Sequence, residues 1–238
     1  MKNIFNSILF CTYAILFSGC MESGKVTAQD LDMADITDTA DKKNRFFDFI
    51  RPIINDENAK VLELRDKLLV AIKNNNNKRF VARTAENYKV DWDEGKEDWD
   101  TLLKRVNAVP LELVLAQSAN ESAWGQSRFA REGNNFFGQW CYTKGCGMVP
   151  ENRNKGSKHE VAKFDSVNDS VRSYIKNINT GNVYLPLRDV RLENHLAGKK
   201  PDAHAQAGGL VKYSERREEY VKEIRSMIRA NNELMTTE

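Results

Sequence analysis

The most informative stretch of the chain spans positions 116 to 125 and reads Ala116-Gln117-Ser118-Ala119-Asn120-Glu121-Ser122-Ala123-Trp124-Gly125. It continues an Ala- and Leu-rich segment that begins after Pro110, and proline costs no hydrogen bond in the first turn of a helix. We therefore predict a helix over residues 111–123. Glu121 shares one face of this helix with three residues at helical spacing, namely Val114, Gln117 and Ser118.

Glu121 is the candidate catalytic residue of this stretch. It lies near the negative C-terminal end of the predicted helix, on a partly apolar face, and Trp124 follows shortly after it. Both surroundings disfavour the carboxylate and raise its pKa, which a general acid for glycosidic cleavage needs at neutral pH. Periodicity alone also allows a surface carboxylate that pairs with Arg128 or Arg131.

Helical periodicity continues on both sides of this helix. Residues 42–74 predict two helices with a break near Pro52 or Asn55, and Asn74-Asn75-Asn76-Asn77 predicts a loop. Further helices are predicted over residues 98–106, 166–179, 190–196, 203–211 and 215–231. The segment 136–164 lacks a helical period and predicts a β-hairpin. The fold class is therefore mainly α with a small β-hairpin lobe (α+β).

The N-terminus has the pattern of a targeting signal. Lys2 precedes an apolar run over residues 4–17 that is too short to span a bilayer as a helix. The run ends in Leu16-Phe17-Ser18-Gly19-Cys20, which resembles the lipobox of bacterial lipoproteins. We predict that residues 1–19 are a cleaved signal peptide and that Cys20 carries the lipid. An ordinary secretory signal is the alternative, and either interpretation predicts export.

An acidic segment separates this signal from the rest of the chain. Residues 20–41 contain six acidic side chains against Lys25 alone, so we predict a flexible tether followed by one domain over residues 42–238. Met21 is not the Asp that is usually linked to inner-membrane retention, which favours the outer membrane. The predicted location is the periplasmic side of the envelope, with contact to the membrane through the lipid anchor.

Two cysteines remain in the predicted domain, Cys141 and Cys146. In an exported protein a pair at this spacing predicts a disulfide that closes a short loop. A zinc site with His159 is the alternative, although it would need a fourth ligand. We therefore expect a disulfide, no metal and no cofactor.

The domain without its signal and tether carries more basic than acidic residues. A mildly basic surface suits an anionic polymer, although solvated surface charge is the alternative. Export excludes nucleic acid as the partner. We expect a monomer that acts on an extracytoplasmic substrate.

The helix end and the segments after it resemble a known family. The chain has Glu121-Ser122-Ala123-Trp124-Gly125 and then Asn135-Phe136-Phe137-Gly138, which is similar to the E-S-x-W-G and N-x-F-G motifs of the bacterial Bax and glucosaminidase family, glycoside hydrolase family 73. Asn120 and Ala123 depart from its usual form. Further similar blocks are Phe46-Phe47-Asp48, 145–150, 159–164 and Tyr213-Ser214-Glu215-Arg216, so the resemblance covers about residues 45–231.

This resemblance implies a lysozyme-like domain that cleaves the β-1,4 bond after N-acetylglucosamine in the glycan strands of peptidoglycan. Glu121 would be the general acid. In a two-carboxylate mechanism the second group activates water or stabilises the transition state, and Glu160 is the first candidate, with Glu151 as the alternative. The substrate's own acetamido group could also take this role, since some members of the family may need no second carboxylate.

Aromatic side chains are expected to line the glycan groove because sugar rings stack on flat apolar faces. The candidates are Trp124, Phe137, Trp140, Tyr184 and Tyr213. Tyr184 matches a position where the family usually has a functional tyrosine. Trp140 has an equally good alternative as core packing beside the cysteine loop.

Two other functions compete with the glucosaminidase. A lytic transglycosylase, which is a type of muramidase, also places Glu-Ser at a helix end, but it leaves anhydro-muramic ends on its products. A non-catalytic envelope lipoprotein that binds glycan would keep the aromatic groove and show no turnover.

Overall fold

The computed structural model describes residues 25–151, 153, 156 and 158–236. The predicted signal peptide and Cys20 lie outside these residues. Ten α-helices occur in this part of the chain: α1 (Thr39–Asn74), α2 (Lys78–Asn87), α3 (Trp99–Arg105), α4 (Leu111–Ser122), α5 (Arg128–Gly133), α6 (Val167–Thr180), α7 (Leu185–Leu196), α8 (Ala203–Gln206), α9 (Glu218–Ala230) and α10 (Asn232–Thr236). None of the described helices is both long and apolar enough to cross a membrane.

A small antiparallel sheet lies between α5 and α6. Its strands are β1 (Trp140–Cys141), β2 (Gly147–Met148) and β3 (Glu160–Ala162), in the order β1-β3-β2. The predicted hairpin is therefore a three-stranded sheet whose last strand is central, because β3 pairs with both others. The predicted fold class, mainly α with a small β lobe, is confirmed.

Helix α4 lies at the centre of the molecule and contacts α1, α8, α9 and α10. Its buried side chains cover nearly the whole helix surface, since Leu113, Val114, Leu115, Ala116, Gln117, Ser118, Ala119 and Ser122 are all shielded from solvent. Pro110 precedes it as the N-cap residue, close to the position that the sequence predicts. The rest of the main core is formed by α1, α6 and α9 around α4.

Helix α1 is one continuous helix, so the predicted break near Pro52 or Asn55 is wrong. Its N-cap Asp38 accepts hydrogen bonds from the amides of Ala40 and Asp41. Ile50, Ile53 and Ile54 flank Pro52 and are all buried. Their packing in the main core holds the backbone helical through a residue that disfavours the helix interior. The helix ends where the asparagine run begins, with Asn75 in the left-handed region.

The far end of α1 packs in a second, smaller core with α2, α3 and the loop between them. This core contains Leu68, Ala71, Val81, Ala85, Tyr88, Val90, Leu102 and Val106. The sequence predicts α3 but not α2, whose ten residues include a short buried face with Val81, Thr84 and Ala85.

The segment from residue 25 to 31 packs on the domain, so this part of the expected flexible tether is ordered against the core. The amide of Val26 donates to Asn168 and its carbonyl accepts from the amide of Val167. The amide of Ala28 donates to Asn134. Leu31 is 9% exposed and joins the main core. Acidic composition predicts a flexible tether here, but Val26, Ala28 and Leu31 pack against the main core.

Candidate active site

A cleft of about 990 Å³ opens between the C-terminal end of α4, the β lobe, α6 and the loop before α9. Its lining includes Glu121, Phe137, Gly138, Trp140, His159, Ser173, Asn177, Tyr184, Tyr213 and Glu215. Glu121 and four of the five predicted aromatic residues are therefore brought together. The exception is Trp124.

Glu121 occupies the last turn of α4, directly before a sharp reversal of the chain. Ala123, Trp124 and Gly125 all have positive φ values, of 50°, 58° and 77°. Ser122 holds the reversal, because its hydroxyl donates to the carbonyl of Ser118 at 2.6 Å and accepts from the amide of Gly125 at 2.7 Å. The φ of 77° at Gly125 favours glycine, and a Cβ atom there would overlap the end of the Leu31 side chain from the N-terminal segment.

Trp124 points away from the cleft, so its predicted role in sugar binding is wrong. Its ring makes edge contacts with Phe46 and Phe47 of α1, at centroid distances of 5.6 and 5.3 Å. The left-handed backbone at Trp124 turns the side chain onto the core. The E-S-x-W-G motif is therefore mostly structural: it ends the helix and fastens the reversal, which leaves Glu121 at the cleft.

A chain of buried hydrogen bonds ends on the Glu121 carboxyl group. Tyr174 donates to the side-chain oxygen of Gln117 at 2.6 Å, and the Gln117 amide donates to the Tyr220 hydroxyl at 2.8 Å. Tyr220 donates in turn to Oε1 of Glu121 at 2.7 Å, and Asn120 donates to the same oxygen at 3.2 Å. Each donor in this chain donates to the next group in the direction of Glu121. Oε1 therefore accepts two hydrogen bonds, from Tyr220 and Asn120.

The other carboxyl oxygen, Oε2, faces Gly138. A Cβ atom at Gly138 would lie 3.6 Å from Oε2, and this glycine has a φ of 60°. Asn135 fixes the loop, since its side chain donates to the carbonyls of Gln139 and Ala162 and accepts from the amides of Phe137 and Gln139. The N-x-F-G motif thus fixes a loop in which Gly138, a residue without a side chain, lies beside Oε2 of Glu121. A proton on Glu121 belongs on this oxygen, because Oε1 already accepts two hydrogen bonds.

Burial raises the pKa of Glu121 above its usual value, although the hydrogen bonds from Tyr220 and Asn120 and the charge of Arg216 lower it in part. The raised pKa agrees with the sequence-based prediction, but burial is its main cause. The alternative of a surface ion pair is wrong for Arg128, whose described carboxylate partners are Glu132 and Glu151.

The remaining predicted aromatic residues line the cleft in different ways. Phe137 is buried and stacks on Tyr174 at 4.1 Å, while the Tyr213 hydroxyl donates to the carbonyl of Phe137. Tyr184 is also nearly buried. Trp140 is 53% exposed and stacks on His159 with 3.9 Å between ring centroids, so it is not core packing. Trp140 is therefore an exposed aromatic ring of the cleft, as sugar stacking requires.

Glu160 does not face Glu121, which contradicts its prediction as the second catalytic carboxylate. Its side chain is buried, and its two oxygens accept from the amides of Gly145 at 3.0 Å and Gly147 at 2.9 Å. These backbone donors lower its pKa. Glu160 lies on β3 opposite Cys141, so the carboxylate fills the inside of the cysteine loop. Its position on the returning strand is as predicted, but its side chain is committed to the loop.

The alternative, Glu151, lies in an exposed turn after β2 and approaches Arg128 at 3.8 Å. Among the described residues, the acidic side chain that shares the cleft with Glu121 is Glu215. Glu215 belongs to the block Tyr213-Ser214-Glu215-Arg216 that resembles the family, but the sequence predicts no role for it. The sequence also gives no sign of Tyr220. The helical spacing of Gln117 and Glu121 indicates only the face of α4 on which a hydrogen-bond partner of both side chains lies.

Cys141 and Cys146 form the predicted disulfide, with a Cα–Cα distance of 6.2 Å. Both sulfur atoms are used in this bond, so they are not available as thiolate ligands for the zinc site considered as the alternative. The bond closes the loop between β1 and β2 beside Trp140.

Comparison with known proteins agrees with the motifs. A family model described as mannosyl-glycoprotein endo-beta-N-acetylglucosaminidase (glucosaminidase) matches residues 96–233. Protein bax of Escherichia coli (strain K12) is 30% identical over 200 residues, which cover 82% of this chain and 71% of that protein. No solved structure matches. The matched region contains Glu121, the three strands and the whole described cleft.

Proposed function

This chain belongs to the glucosaminidase family, and from that premise we propose that it is a peptidoglycan hydrolase, an endo-β-N-acetylglucosaminidase that cleaves the β-1,4 bond after N-acetylglucosamine. Membership of this family supports the assignment of the chain as a glycosidase that acts on cell-wall glycan. The bond specificity and the catalytic mechanism are the proposal.

The state of Glu121 is the observation that carries this proposal. A general acid must hold a proton at neutral pH and must present it to the leaving oxygen. Burial raises the Glu121 pKa, and the hydrogen bonds to Oε1 leave Oε2 to hold the proton on the side of Gly138 and the cleft. The raised pKa and the free Oε2 both support Glu121 as the general acid.

The second half of the mechanism requires a group that stabilises the oxocarbenium-like transition state. Since Glu160 is used inside the cysteine loop, we assign this role to the acetamido group of the substrate's own N-acetylglucosamine. Its oxygen attacks the anomeric carbon while Glu121 protonates the leaving oxygen, and water then opens the cyclic intermediate. Glu215 is the protein carboxylate that would act instead in a two-carboxylate mechanism.

The cleft also supports sugar binding. Trp140 presents an exposed ring that stacks on His159, and Tyr184 and Tyr213 line the same cleft. The proposed substrate lies in the cell envelope, in agreement with the export and the lipid anchor at Cys20 that the sequence predicts.

The test is mass spectrometry of the muropeptides that the purified protein releases from cell-wall sacculi. We expect reducing N-acetylglucosamine ends. Glu121→Gln should lower turnover by about 100- to 10,000-fold because glutamine cannot donate the proton. Binding to sacculi in a pull-down assay should remain. Glu112→Gln, on the same helix but outside the cleft, is the matched control and should retain turnover.

Other outcomes separate the competing functions. Anhydro-muramic ends would identify a lytic transglycosylase, and binding without turnover in the wild type would identify a glycan-binding protein. A severe loss in Glu215→Gln would replace the substrate-assisted mechanism by one with two carboxylates. Retained turnover in Glu121→Gln would contradict the assignment of the acid.

A further inference from the structure

A second cavity, of about 670 Å³, lies between α1, α2 and α6, outside the cleft that contains Glu121. Its lining is mainly apolar, with Val61, Leu64, Phe80, Tyr88 and Ile175. Charged side chains from the same three helices surround this apolar surface. The proposed glycosidase reaction uses none of them.

The cavity adjoins the cleft through one face of α6. Ser173 lines both spaces, and its hydroxyl donates to the side chain of Gln139, another residue of the cleft. Asn177, one turn further along the helix, lines the cleft, while Lys176 lines the cavity. The cleft and the cavity therefore adjoin at Ser173, on the same side of α6.

The cations of the cavity fall into two groups. Arg172 and Lys60 both bind the buried carboxylate of Glu57, at 2.8 and 2.9 Å. By contrast, Arg83 and Lys176 form no ion pair with any residue that the structure describes. These two cations are the ones that remain for a ligand.

Lys176 is the more constrained of the two. Its ammonium group lies 3.4 Å from the centroid of the Tyr88 ring, and the side chain is half-buried. Burial lowers its pKa to about 8, with a smaller effect from Lys89. A carboxylate that binds here gains a charged partner in a partly desolvated position, where electrostatic attraction exceeds its value in open water.

We propose that this cavity binds the peptide stem of the peptidoglycan substrate, a short branch with small apolar side chains and free carboxylates. The apolar floor contacts the methyl groups of the peptide, and Lys176 and Arg83 bind its carboxylates. This inference rests on the proposed function, because the stem reaches the cavity from a glycan strand in the cleft. Such a stem-binding site gives the enzyme a preference for peptide-bearing strands over bare glycan.

The experiment measures peptide binding directly, without glycan and without turnover. The probe is the tetrapeptide L-Ala-γ-D-Glu-L-Lys-D-Ala, titrated into the purified full chain in a calorimeter. We expect the free carboxylates to be required, so the same peptide with both carboxylates amidated should bind about tenfold more weakly or not at all. Lys176→Met and Arg83→Met should each weaken the binding of the free peptide by about tenfold.

Arg79→Met is the matched control. Arg79 lies on the same helix as Arg83 and is exposed, but it lines a different pocket, so its substitution should leave peptide binding unchanged. Lys176→Arg keeps the charge and should retain most of the affinity. Thermal unfolding of each variant shows whether a loss of binding reflects a loss of fold.

Absence of binding of the free peptide to the wild type would overturn the inference, as would equal affinity in Lys176→Met, Arg83→Met and the wild type. The outcome is independent of catalysis. A chain that binds the peptide through Lys176 but cleaves no glycan would contradict the proposed function and leave the peptide site standing.

Discussion

At the residue scale, burial and a chain of hydrogen bonds have opposite effects on the pKa of Glu121. Tyr174, Gln117 and Tyr220 form a chain in which each group donates to the next and the last donates to Oε1. Such a chain favours the carboxylate, whereas burial favours the neutral acid. The net result is a raised pKa, so burial outweighs the hydrogen bonds.

This balance predicts the effect of Tyr220→Phe on the pH dependence of cleavage. The hydrogen bond from Tyr220 lowers the pKa of Glu121, so its removal should raise that pKa further. A general acid works in its protonated form, and activity falls as the pH rises through its pKa. The alkaline limb of the kcat/KM profile should therefore move to higher pH in the variant.

Tyr213→Phe is the comparison for this measurement. Its hydroxyl donates to the carbonyl of Phe137 and not to Glu121, so the alkaline limb should stay in place even if sugar binding weakens. An alkaline limb that moves to lower pH in Tyr220→Phe would show that Tyr220 does not stabilise the Glu121 carboxylate.

At the scale of elements, the β lobe is held together by contacts inside a very short sheet. Each strand contains two or three residues, and Gly147 passes so close to Val161 that a side chain there would overlap the β3 backbone. The disulfide closes the loop between β1 and β2. The Glu160 carboxylate accepts hydrogen bonds from two amides at the end of this loop, those of Gly145 and Gly147. The wall of the cleft that carries Trp140 depends on these contacts.

Glu160→Gln should therefore destabilise the lobe without removing the chemistry. A glutamine offers one oxygen where two amides need an acceptor, so one amide loses its partner. We expect a lower thermal midpoint at neutral pH, retained kcat, and a higher KM if the position of Trp140 shifts. Glu151→Gln, in an exposed turn, should leave the thermal midpoint, kcat and KM all unchanged.

The pH dependence of this effect has a definite sign. The Glu160 pKa is lowered in the folded protein, so its stabilising contribution is present above the usual pKa of a glutamate. The contribution is lost as the pH falls through the lowered pKa. The difference in thermal midpoint between wild type and Glu160→Gln should thus shrink in acid. A variant that keeps its stability but loses kcat would return Glu160 to a catalytic role.

At the scale of the whole molecule, the N-terminal segment over residues 25–31 packs against the chain reversal that follows α4. Leu31 fits against Gly125, and Val26 and Ala28 bond to residues that flank the β lobe. The segment therefore joins the reversal after Glu121 to the start of α6.

Leu31→Ala should lower the free energy of unfolding by about 2 to 3 kcal/mol, the lower part of the range for a buried leucine. Leu62→Ala is the control because Leu62 is 42% exposed on α1, and its effect should stay within about 0.5 kcal/mol. Urea denaturation measures both. Equal effects of the two substitutions would mean that residues 25–31 do not belong to the folded unit.

Local sequence patterns were enough to predict the helical class of the fold, the helix that carries Glu121 and the disulfide between Cys141 and Cys146. These features depend on local spacing, on proline, and on the partners available to a pair of cysteines. Tertiary structure decided which side chains reach the cleft. It turned Trp124 into the core, placed Glu160 inside the cysteine loop, brought Tyr220 to Glu121 across 99 positions of the chain, and kept α1 continuous through Pro52. The physical reason is that periodicity reports which face of an element is buried, whereas catalytic geometry depends on contacts between elements far apart in sequence.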